Sequence, residues 1–176
     1  MNNLKIKEVK YMDKRIVLDV RRFGIIFYSL KSVEWLKEGE DYLYKGGYYK
    51  PKVMIGHIHE GTLVGFGTAG SGRFILNIIE GNPCYTYVIK PDFSLDLCVK
   101  VTDNKLYFND LNNLSSWKKD HSKISFYDIE SGLYGVHVDT WLPSSKIRGD
   151  DQQINMFFYK VDTLPKFEYS EVPTLY

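Results

Sequence analysis

The sequence predicts an all-β fold, an antiparallel β-sandwich of about ten strands with one short helix near residues 30–38. Apolar and polar residues alternate with a period of two in most segments. These segments are rich in β-branched and aromatic residues, and clusters of Gly, Pro, Asn and Asp separate them. The 176 residues, 44% of them hydrophobic, suit one domain with a substantial core. We therefore expect a single domain over residues 1–176, with residues 164–176 as an extended C-terminal strap.

The first strands are predicted by alternation at three places, which are residues 4–9, 15–21 and 23–28. The helix candidate follows over residues 29–37, since Leu30 and Val33 share one helical face. A serine at the start can cap it and Gly39 can close it.

Strand patterning returns from residue 52 onwards. Residues 53–58 and 62–66 are predicted strands joined by a hairpin-like connection at 59–61. Residues 73–80 and 84–89 follow, separated by a Gly-Asn-Pro turn.

The second half contains the clearest turn signal. Residues 95–101 and 105–109 flank Thr102-Asp-Asn104, and Asn tolerates the left-handed conformation of a tight turn, so a hairpin is predicted. Residues 111–121 are polar, with one irregular helical turn expected around 114–117. The last strands are predicted at 123–129, 133–139 and 155–162, and a charged loop over 144–153 precedes the final one.

Composition narrows the function classes. The formal net charge of +1 gives no global field to attract nucleic acid or an anionic membrane, so direct nucleic-acid binding is not expected. No apolar run approaches the roughly 20 residues that cross a bilayer. The first ten residues alternate charged and apolar side chains, unlike a signal peptide, so a cytoplasmic location is expected.

The two cysteines, Cys84 and Cys98, both lie in segments that read as strands. In a reducing compartment they are expected to be free thiols in the core, with a disulfide or redox pair as the alternative.

Two motifs resemble cofactor sites. Residues 65–70 match the Gly-x-Gly-x-x-Gly pattern of dinucleotide-binding proteins, but a β-branched segment follows where that site needs a helix, so a glycine-rich hairpin or bulged edge is expected. His57 and His59 alternate along a predicted strand and could face one metal ion, with His137 as a third ligand. This pattern resembles half of a cupin metal motif. Histidines at the surface or at the core edge are the alternative.

Nucleophilic catalysis finds no support in the motifs. There is no Gly-x-Ser-x-Gly elbow, and neither cysteine has a histidine nearby in sequence. The paired carboxylates lie in predicted loops, where a solvated surface explains them. We therefore expect no catalytic residues and no cofactor.

Two stretches are candidate recognition elements. The first is residues 41–50, where four tyrosines stand beside two glycines, and Tyr supplies a large contact area at low rotamer cost. These tyrosines, which can instead cover the edge of the core, are Tyr42, Tyr44, Tyr48 and Tyr49. The second stretch runs from a strand end into the charged loop, and its candidate contact residues are Asp139, Trp141, Asp150 and Asp151.

Residues 99–162 resemble the competence nuclease inhibitor family and similar small bacterial immunity-type proteins. The family has a strand hairpin, a strand next to a Gly-x-Tyr turn, a strand leading to a Trp-containing segment and a last strand near the C-terminus. Gly132, Tyr134 and Trp141 occupy the matching places here. The resemblance implies an inhibitor, although the near-neutral charge departs from the acidic face common among nuclease inhibitors.

The leading hypothesis is therefore a non-catalytic cytoplasmic binding protein, an immunity protein or inhibitor that blocks a bacterial toxin or nuclease by protein–protein contact. Its expected partner is that cognate toxin or nuclease, with no membrane involved. The alternative is a metal- or small-ligand-binding, cupin-like β-domain that uses His57 and His59. A third option is a β-domain that works by self-assembly, since the sequence leaves the oligomeric state open.

Overall fold

The computed structural model describes residues 13–83 and 89–176. Nine strands lie in these two ranges, and their order along the chain is β1 Lys14–Val20, β2 Gly24–Tyr28, β3 Leu63–Gly67, β4 Gly72–Glu80, β5 Phe93–Val101, β6 Lys105–Asp110, β7 Ser125–Asp128, β8 Gly132–Thr140 and β9 Gln152–Lys160. One α-helix, α1, spans Pro51–Glu60, and 3-10 helices span Leu30–Val33 and Leu111–Ser115.

The strands form two sheets, one with the order β1-β4-β9-β8-β5 and one with the order β3-β2-β6-β7. The mostly β architecture is therefore confirmed, although the described residues contain nine strands rather than about ten. The predicted strand at 4–9, and residues 84–88 of the one at 84–89, lie outside the described residues. An all-antiparallel arrangement is wrong, because β4 and β9 pair in parallel, with Phe74 opposite Gln152.

Both sheets contribute to one hydrophobic core. The inward face of β9 carries Ile154, Met156 and Phe158 at alternate positions, as the period of two requires. The ring of Phe158 meets Phe27 of β2 edge-on at 6.1 Å between centroids and Phe108 of β6 at 6.3 Å. These three buried rings join the two sheets at the centre of the molecule.

Residues 53–58 form the middle of α1, so the predicted strand there, together with its hairpin-like connection, is wrong. Proline at position 51 starts the helix, where its missing N–H costs nothing. Gly61 ends it with φ at 64°, the left-handed conformation that glycine adopts freely. Met54 and Ile58, one helical turn apart, are the buried face.

The predicted helix near residues 30–38 is only a single 3-10 turn over Leu30–Val33. Ser29 does not cap it, because its hydroxyl donates instead to the carbonyl of Lys105 on β6, 2.9 Å away. A tertiary hydrogen bond thus replaces the local one that the helix prediction assumed.

The turn at residues 102–104 exists, with Asn104 in the left-handed conformation at φ 56°. Its side chain accepts from the backbone N–H of Ser131 at 2.7 Å. However, β5 pairs with β8 and β6 pairs with β2 and β7, so the two strands beside the turn belong to different sheets. The predicted hairpin is therefore wrong, and the turn passes the chain between the sheets.

The C-terminal tail crosses the edge of β3. Gly67 donates its N–H to Pro173 at 2.8 Å and accepts from Leu175 at 2.9 Å, which forms a parallel bridge to Thr174. The side chain of Leu175 is buried in the core. The tail thereby covers the last residue of an otherwise open sheet edge.

Candidate functional site

Three exposed aromatic rings form a continuous ladder on the surface, called here the aromatic patch. Phe23 and Tyr44 are each 45% exposed, and Tyr49 is 47% exposed. The ring centroids of Phe23 and Tyr44 are 6.2 Å apart, and those of Tyr44 and Tyr49 are 6.1 Å apart. Contiguous exposed aromatic side chains of this kind mark interaction sites more often than single ones do.

Phe23 reaches this position through an unfavourable backbone conformation. It lies in the turn between β1 and β2 with φ at 68°, which costs a residue with a Cβ about 1–2 kcal/mol. Its carbonyl accepts the N–H of Thr68 at 3.2 Å, which fixes the turn. The fold therefore holds a large apolar ring in solvent at a cost in backbone energy, and such strained positions cluster at functional sites. Sequence patterning did not single out Phe23, which was predicted to be the first residue of a strand.

The other tyrosines of residues 41–50 have different roles. Tyr48 is fully buried and donates its hydroxyl to the carbonyl of Leu63 at 2.7 Å. A Cβ on Gly65 would lie 2.7 Å from that hydroxyl, so a glycine at position 65 makes room for the ring. Tyr48 thus belongs to the core and is not part of the aromatic patch.

Tyr42 belongs to a half-buried cluster around His57. Its hydroxyl lies 2.8 Å from Nε2 of His57, and the other ring nitrogen, Nδ1, lies 2.8 Å from Oγ1 of Thr62. The indole of Trp35 stacks on the imidazole with an interplanar angle of 3°. Burial lowers the pKa of His57 below its ordinary value, which favours the neutral ring.

The three histidines of the metal hypothesis are not brought together. His57 and His59 lie on a helix rather than a strand, so residues two apart do not share a face. His59 hydrogen-bonds the carbonyl of Phe167 in the tail at 2.8 Å, and His137 lies on β8. Within residues 13–83 and 89–176, no group of three His, Cys, Asp or Glu side chains can hold a metal ion. The described residues therefore do not form the three-histidine site of the alternative hypothesis.

His137 is instead held between two carboxylates on the outer side of the five-stranded sheet. Its Nδ1 lies 2.6 Å from Asp96 on β5, and its Nε2 lies 3.0 Å from Asp139 on its own strand. Hydrogen bonds to Asp139 and Asp96 raise the pKa of His137 to about 9. Asp139 is buried and also accepts from Ser94, so this predicted contact residue lies away from solvent.

The second candidate recognition stretch continues beyond the end of β8 and forms an exposed loop. Trp141 is half-buried and its indole N–H donates to the carbonyl of Ile89 at 3.3 Å. Asp150 and Asp151 are both exposed, and Asp151 lies 3.4 Å from the guanidinium of Arg73 on β4. These two carboxylates are therefore available to a partner.

The connection between β3 and β4 brings the two predicted stretches to the same end of the molecule. Its first residue, Thr68, bonds the carbonyl of Phe23 in the aromatic patch. Two residues further on, a Cβ built on Gly70 would lie 3.5 Å from Cβ of Arg148 in the charged loop. The guanidinium of Arg148 donates to Leu175 in the tail at 3.2 Å. The end of the molecule that carries the β1–β2 turn and the charged loop thus presents aromatic rings and carboxylates together.

The Gly-x-Gly-x-x-Gly motif has a structural role. It spans the end of β3 and the turn into β4. The segment after it is strand β4, as expected, and not the helix that a dinucleotide site needs. A Cβ on Gly67 would lie 2.6 Å from Oγ1 of Thr174, so the glycine allows the tail to approach the strand. The two strands lie in different sheets, so the motif is not a hairpin.

Cys98 is a free, fully buried thiol on β5, and burial raises its pKa to about 11. A thiol that stays protonated at neutral pH is a poor nucleophile. Cys84 lies outside the described residues.

A small pocket lies between the first 3-10 helix and the segment around Trp117. It has a volume of about 270 Å³, and its lining combines apolar side chains such as Leu30 and Val33 with the polar side chains of Lys119 and His121. Small-molecule sites generally measure about 300–1,000 Å³, so this pocket falls below the usual range.

The fold is one that a known nuclease inhibitor also has. The solved structure of ComJ, inhibitor of the DNA degrading activity of NucA, from Bacillus subtilis, is similar with a TM-score of 0.52 and 12% identity over 84% of this chain and 96% of that chain. The resemblance predicted from residues 99–162 is thus confirmed at the level of the fold.

A second similar structure is that of the protein described as Crocagin biosynthetic gene J. Its TM-score is 0.51 and its identity 14%, over 81% of this chain and 94% of that chain. No protein-family model and no curated protein sequence matches the chain. Of the helices in the described ranges, none has the length and apolar character that a bilayer span requires.

Proposed function

We propose that this protein is a non-catalytic inhibitor or immunity protein that acts in the cytoplasm and blocks a bacterial toxin or nuclease by direct contact. The observation that carries the proposal is the aromatic patch, in which a strained backbone holds Phe23 against Tyr44 and Tyr49 in solvent. A few large aromatic side chains usually supply most of the binding energy of a protein interface.

The surroundings of the patch fit an interface with a polar rim. Lys45 and Lys50 flank the two tyrosines in sequence, and Arg22 precedes the phenylalanine; all three are exposed. Such cations favour a partner surface that carries carboxylates. Asp150 and Asp151, at the same end of the molecule, add acidic groups that can pair with basic residues of a nuclease.

The mode of inhibition that we propose is steric. The formal net charge of +1 does not suit a protein that competes with nucleic acid by imitating its charge. A group of loops that carries exposed aromatic rings is suited to covering the entrance of an active site. The fold shared with ComJ supports an inhibitor role, since that protein is an inhibitor of a DNA-degrading activity.

The test begins with a tagged form of this protein expressed in its native host. Native mass spectrometry of the recovered complex gives the stoichiometry, and the purified partner is then assayed for its activity with and without this protein. We expect one partner chain per inhibitor and loss of the partner's activity on stoichiometric addition. A protein recovered alone, or a partner whose activity is unchanged, contradicts the proposal.

The double variant Tyr44→Ala/Tyr49→Ala tests whether the aromatic patch is the surface that contacts the partner. We expect its affinity for the recovered partner to fall about tenfold or more, because two exposed anchor rings are lost. Trp35→Ala is the matched control, since that ring is 47% exposed but packs on Tyr42 and His57 rather than on the patch. Equal affinities for both variants and the wild type would exclude the patch as the contact surface.

A further inference from the structure

The open edges of the two sheets lie side by side on one flank of the molecule. Among the described strands, β1 pairs only with β4 and β7 only with β6, so each has one free edge. The Lys14 ammonium donates to the carbonyl of Phe126 and links the two edges. Between them runs an open groove of about 430 Å³, called here the edge groove.

The edge groove is basic. Its described lining includes Lys14, Arg15 and Lys123 and no acidic side chain. Arg15 and Lys123 are exposed. Three cations therefore lie together in a protein whose whole chain has a formal charge of only +1. The groove also offers apolar surface, because Val17 is 42% exposed and Ile124 is half-buried.

We propose that the edge groove binds an extended acidic segment of a partner protein, which adds as an extra strand to β1 or β7. A free sheet edge presents unpaired N–H and C=O groups that a second chain can satisfy, which supplies affinity without regard to sequence. The three cations select a segment with carboxylates, and Val17 and Ile124 accept its alternate apolar side chains.

Charge argues against a second copy of this chain as the occupant. A two-fold contact centred on the edge groove would bring Lys14, Arg15 and Lys123 close to the same three cations of the second copy, and like charges close together are destabilising. Single-stranded nucleic acid would need free aromatic faces for its bases. Among the described lining residues the one aromatic ring, Phe126, already has the ammonium groups of Lys14 and Lys105 over it, at 4.8 and 4.3 Å from its centroid.

The edge groove is separate from the aromatic patch. Lys14 and Phe23 flank opposite ends of β1, whose seven residues span about 20 Å at the usual rise per residue. The proposal therefore does not depend on the inhibitor function, and substitutions on one surface are expected to leave the other unchanged.

The test uses a fluorescent peptide of alternating glutamate and valine, titrated with the full chain at low salt and followed by anisotropy. Two comparison peptides have the same length, one with lysine in place of glutamate and one with N-methyl groups on alternate amides. We expect binding of the first peptide and at least about tenfold weaker binding of both others, because one lacks the charge and one cannot pair with the edge.

The double variant Arg15→Glu/Lys123→Glu locates the site. We expect it to bind the acidic peptide about tenfold or more weakly, because two attractive charges become repulsive. Lys52→Glu/Lys166→Glu, which replaces an exposed lysine of α1 and one of the tail, is the control for the same change in total charge and is expected to bind within about twofold of the wild type. Equal loss in the groove variant and in this control, or no loss in the groove variant, overturns the proposal.

Two further outcomes also overturn it. If the N-methylated peptide binds as tightly as its parent, the groove attracts charge without strand pairing. If an oligothymidylate displaces the acidic peptide at lower concentration than unlabelled peptide does, the groove is a nucleic-acid site. Retained peptide binding by Tyr44→Ala/Tyr49→Ala is the expected result that separates this site from the aromatic patch.

Discussion

His137 and Asp139 lie two residues apart on β8, and Nε2 of the histidine is 3.0 Å from Oδ1 of the aspartate. Asp96, directly opposite His137 in the β5–β8 ladder, occupies the other ring nitrogen at 2.6 Å. The His137 side chain is 11% exposed, so its charge is compensated by carboxylates rather than by water. His137, Asp96 and Asp139 thus form one hydrogen-bonded group across strands β5 and β8.

This unit predicts a pH dependence of stability. Folding raises the pKa of His137 from 6.5 to about 9, so its contribution is fully present below pH 6.5 and is lost as the pH rises through 9. A pKa change of this size corresponds to about 1.4 kcal/mol per unit, so we expect the wild type to lose up to about 3 kcal/mol relative to the variant His137→Gln, which does not titrate. Urea unfolding of both proteins at pH 6, 8 and 9.5 measures the difference. Parallel pH profiles for the two proteins would contradict the assignment.

Phe23→Gly is expected to separate stability from binding. Glycine adopts the left-handed conformation without strain, so we expect the free energy of unfolding to stay the same or to rise by up to about 1 kcal/mol. Partner affinity is expected to fall, because the ring that contacts Tyr44 is gone. Chemical denaturation and titration with the recovered partner give the two values. A clear loss of stability would mean that Phe23 is held there by packing and not for recognition.

Phe158→Ala is expected to destabilise the fold by about 3–5 kcal/mol, because it leaves a cavity where the two sheets meet. Urea denaturation with an unchanged slope measures the loss. Tyr44→Ala, an exposed aromatic truncation, is the comparison and is expected to stay within about 0.5 kcal/mol of the wild type. Similar effects of the two changes would place Phe158 outside the core.

Added zinc is expected to leave the melting temperature unchanged. Both ring nitrogens of His57 already have partners in Tyr42 and Thr62, and His59 bonds a tail carbonyl. A ligand that bound the folded state alone would raise the melting temperature by mass action. Thermal unfolding with zinc and with a chelator makes the comparison, together with elemental analysis of the purified protein. Near-stoichiometric metal and a chelator-sensitive melting temperature would restore the metal hypothesis.

Local signals predicted most strands but not their partners. Alternation located β1, β4 and β8 because inward positions recur every second residue. It also produced the error at 53–58, where β-branched residues at Val53 and Ile55 imitate a strand although Pro51 and Gly61 mark a helix. The parallel pairing of β4 and β9 joins segments far apart in sequence, and no local pattern encodes it.

The candidate site was predicted only in part. The tyrosine-rich segment drew attention to Tyr44 and Tyr49, but composition does not distinguish them from Tyr48, whose burial depends on the space left by Gly65. Phe23 was missed because its exposure results from a backbone angle at a turn. Asp96 was missed because only the strand register places it opposite His137.

The position of β9 has a consequence for how the chain acquires its structure during synthesis. This strand lies in the middle of the five-stranded sheet, between β4 and β8, yet it is the strand farthest along the described chain. Until Gln152–Lys160 has left the ribosome, the β1–β4 pair and the β5–β8 pair cannot join into one sheet. The apolar faces of both pairs then stay exposed. We therefore expect folding to be completed late in translation, and a stop codon before residue 152 is expected to yield a product that proteases remove rather than a smaller functional domain.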